Sequence, residues 1–216
     1  MTRLLIFDFD GVVADTEVIA NRALAEALTE IGLPTTLDES MAAYMGRHWG
    51  DCAALIEARL GRALPPGWTD ARRARIAEML AVELTEVPGL TPFLDAHADW
   101  PRCIASSSSR AWIGDCLDRL GLAARFERRF SGAEDVARGK PFPDLFLHAA
   151  RVCGAAPADC VVIEDSRHGV AAGVAAGMRV IGLTAGSHAR PGDGARLRAA
   201  GADAVATTWG EVAGLL

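Results

Sequence analysis

Two aspartates, Asp8 and Asp10, stand one residue apart directly after the apolar run Leu4, Leu5, Ile6, Phe7. A carboxylate is costly to bury unless a cation or hydrogen bonds compensate it. A strand that ends this way therefore calls for a positive partner. Three later stretches end in polar groups of a matching kind. "CIASSSSR" closes an apolar run with hydroxyls, Ser106 to Ser109, just ahead of a helical pattern. "RGKPFPD" presents Lys140 before another helix, and "VVIEDS" presents Glu164 and Asp165 after three β-branched residues. Carboxylates clustered without histidine or cysteine suit a hard cation, and Mg2+ prefers oxygen ligands together with waters. Hydroxyls and free amides at a helix start can hold phosphate oxygens, and lysine adds a compact positive charge. A metal-bound carboxylate facing a phosphate can act as nucleophile and give an aspartyl-phosphate. A second aspartate two residues on can then handle protons.

Taken singly, each stretch has an ordinary explanation. Aspartate–X–aspartate is common in solvated turns, four serines make a linker or a cap, and acids before a helix compensate its dipole. Joint occurrence, in order, each at a strand end or a helix entrance, is what points to one site. Lys140 also stands apart in composition, as the only lysine among 22 basic residues.

The elements that would position these groups alternate. After the first strand, Ala20, Ala23, Leu24, Ala27, Leu28 and Ile31 form a helical stripe closed by Gly32. The pattern stays helical to about Pro88, with breakers at "LPTT" and "RALPPGW". Strands then return at "RCIASS", "RRFSG", "CVVIED", "MRVIGL" and "ADAVAT", with helices between them. Strands apolar throughout and alternating with helices imply a parallel sheet covered on both faces. The expected fold is α/β: a doubly wound, Rossmann-like core over 1–14 and 89–216, with an all-helical cap domain inserted over 15–88. Ligands of such sheets bind beyond the carboxyl ends of the strands, where all four polar stretches would converge.

Composition narrows the function classes. The 216 residues are 50% hydrophobic and 23% charged, which fits an ordinary globular protein with a real core. A net charge of −6 argues against nucleic acid as a partner. Acidic residues arrive too early for a signal peptide, and no apolar run is long enough to span a membrane. The five cysteines are scattered, odd in number and without metal-ligand spacing, so free thiols in a reducing cytoplasm are expected. Oligomeric state leaves no mark in the sequence.

"DFDGVVADTE", the serine after "CIA", "GKPFPDLF" and "IEDSRHGVAAGVAAGM" resemble the four motifs of the haloacid dehalogenase superfamily, and the helical insert is similar to that of its β-phosphoglucomutase-like phosphatase branch. The resemblance runs from Asp8 to Gly177 and implies a division of labour. Asp8 would be the nucleophile, and Asp10 the general acid/base whose backbone carbonyl also ligates Mg2+. Ser106 would bind the transferring phosphoryl group with the Ser107 amide, and Lys140 would neutralise charge between nucleophile and phosphate. Asp165 would ligate Mg2+, with Glu164 as ligand or support, and Gly11 would allow the tight turn toward the cap.

The expected activity is a Mg2+-dependent phosphatase for a small phosphorylated metabolite, a sugar phosphate or related monoester. A phosphomutase is the alternative; similar mutases carry a histidine where this chain has Ala20. A non-catalytic phosphometabolite-binding protein is a third class, although no motif position is lost. The superfamily's dehalogenases lack an acid at the Asp10 position, and its phosphonate hydrolases use a cap lysine that is absent here. Specificity is expected in the cap, with Arg47, His48 and Trp49 as candidates. Asn21, Arg22 and Arg110 are weaker ones. His188 and Arg190, in "GSHARPGDG", read as a surface loop.

Overall fold

A computed structural model describes residues 4–47 and 49–216. The chain forms two compact units, one of Met1–Asp15 with Thr85–Leu216 and the other of Thr16–Leu84.

The first unit is built on a six-stranded sheet. Its strands are β1 (Leu4–Phe7), β2 (Arg102–Ser106), β3 (Arg129–Ser131), β4 (Cys160–Glu164), β5 (Arg179–Leu183) and β6 (Ala204–Ala206), in the order β3-β2-β1-β4-β5-β6. All neighbours pair parallel. This is the α/β architecture expected from strands buried end to end, as β1 and β4 both are.

Alternation along β1 divides the core in two. Phe7 faces an aromatic cluster with Phe126, with Phe93 of α5 (Leu90–Ala96) and with Trp209 of α10 (Trp209–Leu215); the ring centroids lie 5.3–6.2 Å from that of Phe7. Leu4 and Ile6 face the other side. There they meet Leu145, Phe146 and Ala149 of α7 (Asp144–Cys153), Val170 and Ala172 of α8 (Arg167–Ala175), and Leu197 of α9 (Asp193–Ala199). Burying each such large side chain contributes about 1.5–3 kcal/mol, so both faces hold β1 rigidly in the middle of the sheet. The helix α6 (Arg110–Leu120) follows β2 and is capped by Ser109, whose hydroxyl accepts the Trp112 N–H at 3.2 Å.

The helix α5 has no counterpart in the sequence reading. "LTPFLDA" is too short to show a stripe, and Pro92 within its first turn reads as a breaker although that turn tolerates it.

The second unit holds α1 (Glu17–Glu30), α2 (Leu37–Tyr44), α3 (Trp49–Leu60) and α4 (Trp68–Glu83). Leu24, Ala27 and Leu28 pack with Tyr44, Cys52, Ile56 and Trp68. Thr36 and Glu39 form a reciprocal capping box at the start of α2. The chain leaves the first unit after Asp15 and re-enters it at Thr85, and the Asp15 amide donates to the Thr85 carbonyl at 3.0 Å. The cysteines are free, and among the described residues no helix is long and apolar enough to cross a membrane.

Candidate active site

The strand order decides which side chains meet. β1 and β4 are neighbours in register, Phe7 beside Ile163, so the residues just past them emerge together. The Asp8 amide donates to the Ile163 carbonyl at 2.9 Å and extends the ladder by one bond. Strand order turns outward in opposite directions from this pair, which makes it the switch point where open α/β sheets bind ligands.

Asp8, Glu164 and Asp165 are gathered here, each offering a carboxylate oxygen within 4.8 Å of the others. Lys140 reaches in from the loop before α7, its Nζ donating to Asp8 Oδ1 and to Glu164 Oε1, both at 2.6 Å. Its side chain is 4% exposed and that of Glu164 fully buried, so the pairing is desolvated and strong. The ammonium also lies 5.0 Å from the centroid of the Phe146 ring. The second Glu164 oxygen accepts from the Ser166 amide at 2.8 Å and hydroxyl at 2.9 Å. Ser166 Oγ in turn accepts the Gly169 N–H and caps α8. Gly169 is obligatory, since a Cβ there would fall 1.5 Å from Glu164 Oε1.

The turn after β1 is just as crowded. Gly11 adopts φ +78°, and a Cβ on it would lie 2.0 Å from Asp165 Oδ2. Asp10 turns toward β2 and α6: its carboxylate accepts from Ser108 Oγ at 2.6 Å and from Trp112 Nε1 at 2.9 Å. Ser106, the last residue of β2, is buried, and its hydroxyl accepts the Ser108 amide at 3.1 Å. Ser107 beside it is exposed.

The electrostatics follow from three carboxylates around one ammonium. Burial raises the Asp8 pKa well above the ordinary value; Lys140 opposes this, and Glu164 and Asp165 add to it. Burial likewise raises Asp165, against the hydrogen bond from His188. Lys140 shows the reverse balance. Burial alone would lower its pKa, but Asp8 and Glu164 outweigh that and hold it above the ordinary value. An oxygen-only donor set with surplus negative charge fits a hard divalent cation such as Mg2+.

Asp8, Asp10, Ser106, Ser107, Lys140, Glu164 and Asp165 all belong to this rim of the first unit. Arg110 does not serve it as an open cation: it pairs with Asp135, and its amide donates to Glu134 at 2.9 Å. In the helical unit, Arg47 is exposed, while Trp49 stacks on Trp68 at 6.2 Å under the Arg72 guanidinium. His48 lies outside the described residues. Asn21 is buried and bonded to Ser40 and Glu17, and Arg22 pairs with Glu83.

Three contacts were not foreseen. Ser108 and Trp112 hold Asp10, and His188 Nε2 lies 3.0 Å from Asp165 Oδ2. Ser108 belongs to the serine run that the sequence singles out, whereas nothing local in "RAWIGDCLDRLG" points to Asp10 and nothing in "GSHARPGDG" points to Asp165.

Comparison with known proteins gives the family. The family model for haloacid dehalogenase-like hydrolases matches residues 2–177. The chain is 35% identical over 189 residues to YhcW of Bacillus subtilis, covering 84% of this chain and 83% of that protein. It is 30% identical over 177 residues to the fructose-1-phosphate phosphatase YqaB of Escherichia coli, covering 82% and 94%. Among solved structures it is similar to a HAD family hydrolase from Deinococcus radiodurans with bound phosphate and sodium, at TM-score 0.82, 32% identity and coverage of 99% and 95%. With its acidic cluster at the switch point and a family match over most of its length, the chain belongs to the haloacid dehalogenase-like hydrolases.

Proposed function

We propose that this phosphatase is Mg2+-dependent and hydrolyses a small phosphorylated metabolite, a sugar phosphate or related monoester, through an aspartyl-phosphate on Asp8. One observation carries the reading: Lys140 bridges Asp8 and Glu164 beside Asp165, at the switch point of a parallel sheet. The sugar-phosphate class is favoured by the similarity to a fructose-1-phosphate phosphatase.

Asp8 and Asp165 would hold the Mg2+ together with the Asp10 carbonyl. Glu164, with both oxygens engaged by Lys140 and Ser166, would support the site. Bound there, Mg2+ would supply positive charge to the transferring group and keep the nucleophile ionised.

A carboxylate oxygen of Asp8 attacks phosphorus in line. The bond from phosphorus to the ester oxygen breaks, and Asp10 gives its proton to the departing alkoxide. Asp10, now a carboxylate, takes a proton from water, whose oxygen attacks phosphorus and displaces Asp8. Lys140, the Ser106 hydroxyl and the Ser107 amide stabilise the equatorial oxygens in both steps. The hydrogen bonds from Ser108 and Trp112 orient Asp10 for this exchange. Discrimination between substrates is assigned to the helical unit, where Arg47 is an exposed cation.

The test is release of inorganic phosphate from an aryl phosphate and from a panel of sugar phosphates, with Mg2+ and with EDTA. Activity should require the metal and vanish in Asp8→Asn. Substantial turnover in Asp8→Asn would overturn the covalent route, and conversion between hexose phosphates without phosphate release would make the enzyme a mutase.

A further inference from the structure

We propose that His188 is a positioning residue for Asp165, fixing one oxygen of that carboxylate so that the group is held ready for the divalent cation. The inference rests on the metal reading above and adds to it a residue from outside the four motifs.

His188 is 5% exposed, although it belongs to the stretch after β5 that reads as a surface loop. Its Nε2 lies 3.0 Å from Asp165 Oδ2. An ionised carboxylate only accepts, so Nε2 carries the hydrogen and donates. The ring sits in a slot that two glycines keep open. A Cβ on Gly11 would come within 2.6 Å of His188 Cε1, and one on Gly186 within 2.6 Å of Nδ1 and 3.0 Å of the Gly11 carbonyl. A side chain at Gly186 would push the ring off Asp165, and one at Gly11 would strike both the carboxylate and the ring.

The loop carrying the ring is itself anchored. The Ser187 amide and hydroxyl both donate to Asp15 Oδ1, at 3.1 Å and 2.9 Å, and the Ala189 amide donates to the Gly186 carbonyl at 3.0 Å. His188 is therefore delivered to Asp165 by fixed backbone. An outer partner of this kind sets the orientation of a ligating group, and its loss typically weakens metal affinity by about 10- to 100-fold.

The test is titration of Mg2+ into metal-free protein by calorimetry, with thermal melts of the same samples. His188→Ala should weaken Mg2+ binding by about 10- to 100-fold. His188→Gln, which can place an N–H near the position of Nε2, should restore most of that loss. His188→Phe, which fills the slot without a donor, should resemble the alanine variant, and it decides the matter against glutamine if the alanine protein fails to fold. Wild-type Mg2+ affinity in the alanine or phenylalanine variant would overturn the positioning role, even with a lowered melting temperature, and would leave the metal reading standing. Absence of Mg2+ binding by the wild-type protein would overturn the metal reading and this inference with it.

Discussion

Replacing Lys140 with methionine removes the charge while keeping the length of the side chain. Two carboxylates, Asp8 and the fully buried Glu164, then lose the ammonium 2.6 Å from each. Removing one partner of a buried ion pair costs about 3–5 kcal/mol, because the remaining charge is left uncompensated. In a chain of this size each kcal/mol moves the melting temperature by about 2–4 °C, so metal-free protein should melt about 6–20 °C lower. If that cost is electrostatic, neutralising Glu164 should relieve it. Lys140→Met made in a Glu164→Gln background should cost about 1–3 kcal/mol less than in the wild type. Lys140→Arg separates charge from shape. It keeps the ion pairs, but its broad guanidinium must enter a site where the lysine is 4% exposed, which costs about 1–3 kcal/mol of overpacking. Its turnover should nevertheless fall by about 100- to 1,000-fold, the usual consequence of misplacing one charge-stabilising group. Thermal melts of the four proteins in the cycle, with steady-state kinetics of the arginine variant, make the assay. Equal costs of Lys140→Met in both backgrounds would refute the electrostatic account, and near-normal turnover of Lys140→Arg would remove the lysine from the mechanism.

Two further outcomes follow from the site. Burial raises the Asp8 and Asp165 pKa values, so the metal-free folded protein keeps protons that the unfolded chain has already released. This contribution to stability is full below the unfolded values and is lost as pH rises through the raised ones. On the proposed metal reading Mg2+ would compete with the same protons, so the gap in melting temperature between Mg2+ and EDTA samples should widen with rising pH; a gap that narrows would contradict the shifts. Trp112→Phe deletes the N–H that donates to Asp10 Oδ1 at 2.9 Å, a bond to a charged group worth about 1.5–3 kcal/mol. It should lower kcat by about 10-fold or more with KM little changed, and an unchanged kcat would mean that the Trp112 bond does not orient Asp10 for the reaction.

What could be read from the sequence depended on range. The runs at β1, β2, β4 and β5 are apolar through their middles, and in the first three polar groups follow at once, so local pattern was enough for these strands and for the order of acids and hydroxyls. Glu164 was open between ligand and support because its partners, Lys140 and Ser166, are fixed only by folding. Arg110 looked available after the serines, but its carboxylate partners Asp135 and Glu134 come from the loop after β3. His188 was invisible for the same reason: its meaning lies in Gly11 and Asp165, which no sequence window contains together with it.

The hydrogen bond between the Asp15 amide and the Thr85 carbonyl has a consequence for how such proteins diversify. Both ends of the helical segment are tied to one spot on the first unit, so closing that spot asks little of whatever lies between. A different set of helices, or a short turn, could be spliced from Asp15 to Thr85 and leave β1 with its acids undisturbed. The helical segment can therefore be exchanged as a cassette while the acidic cluster of the first unit is inherited intact.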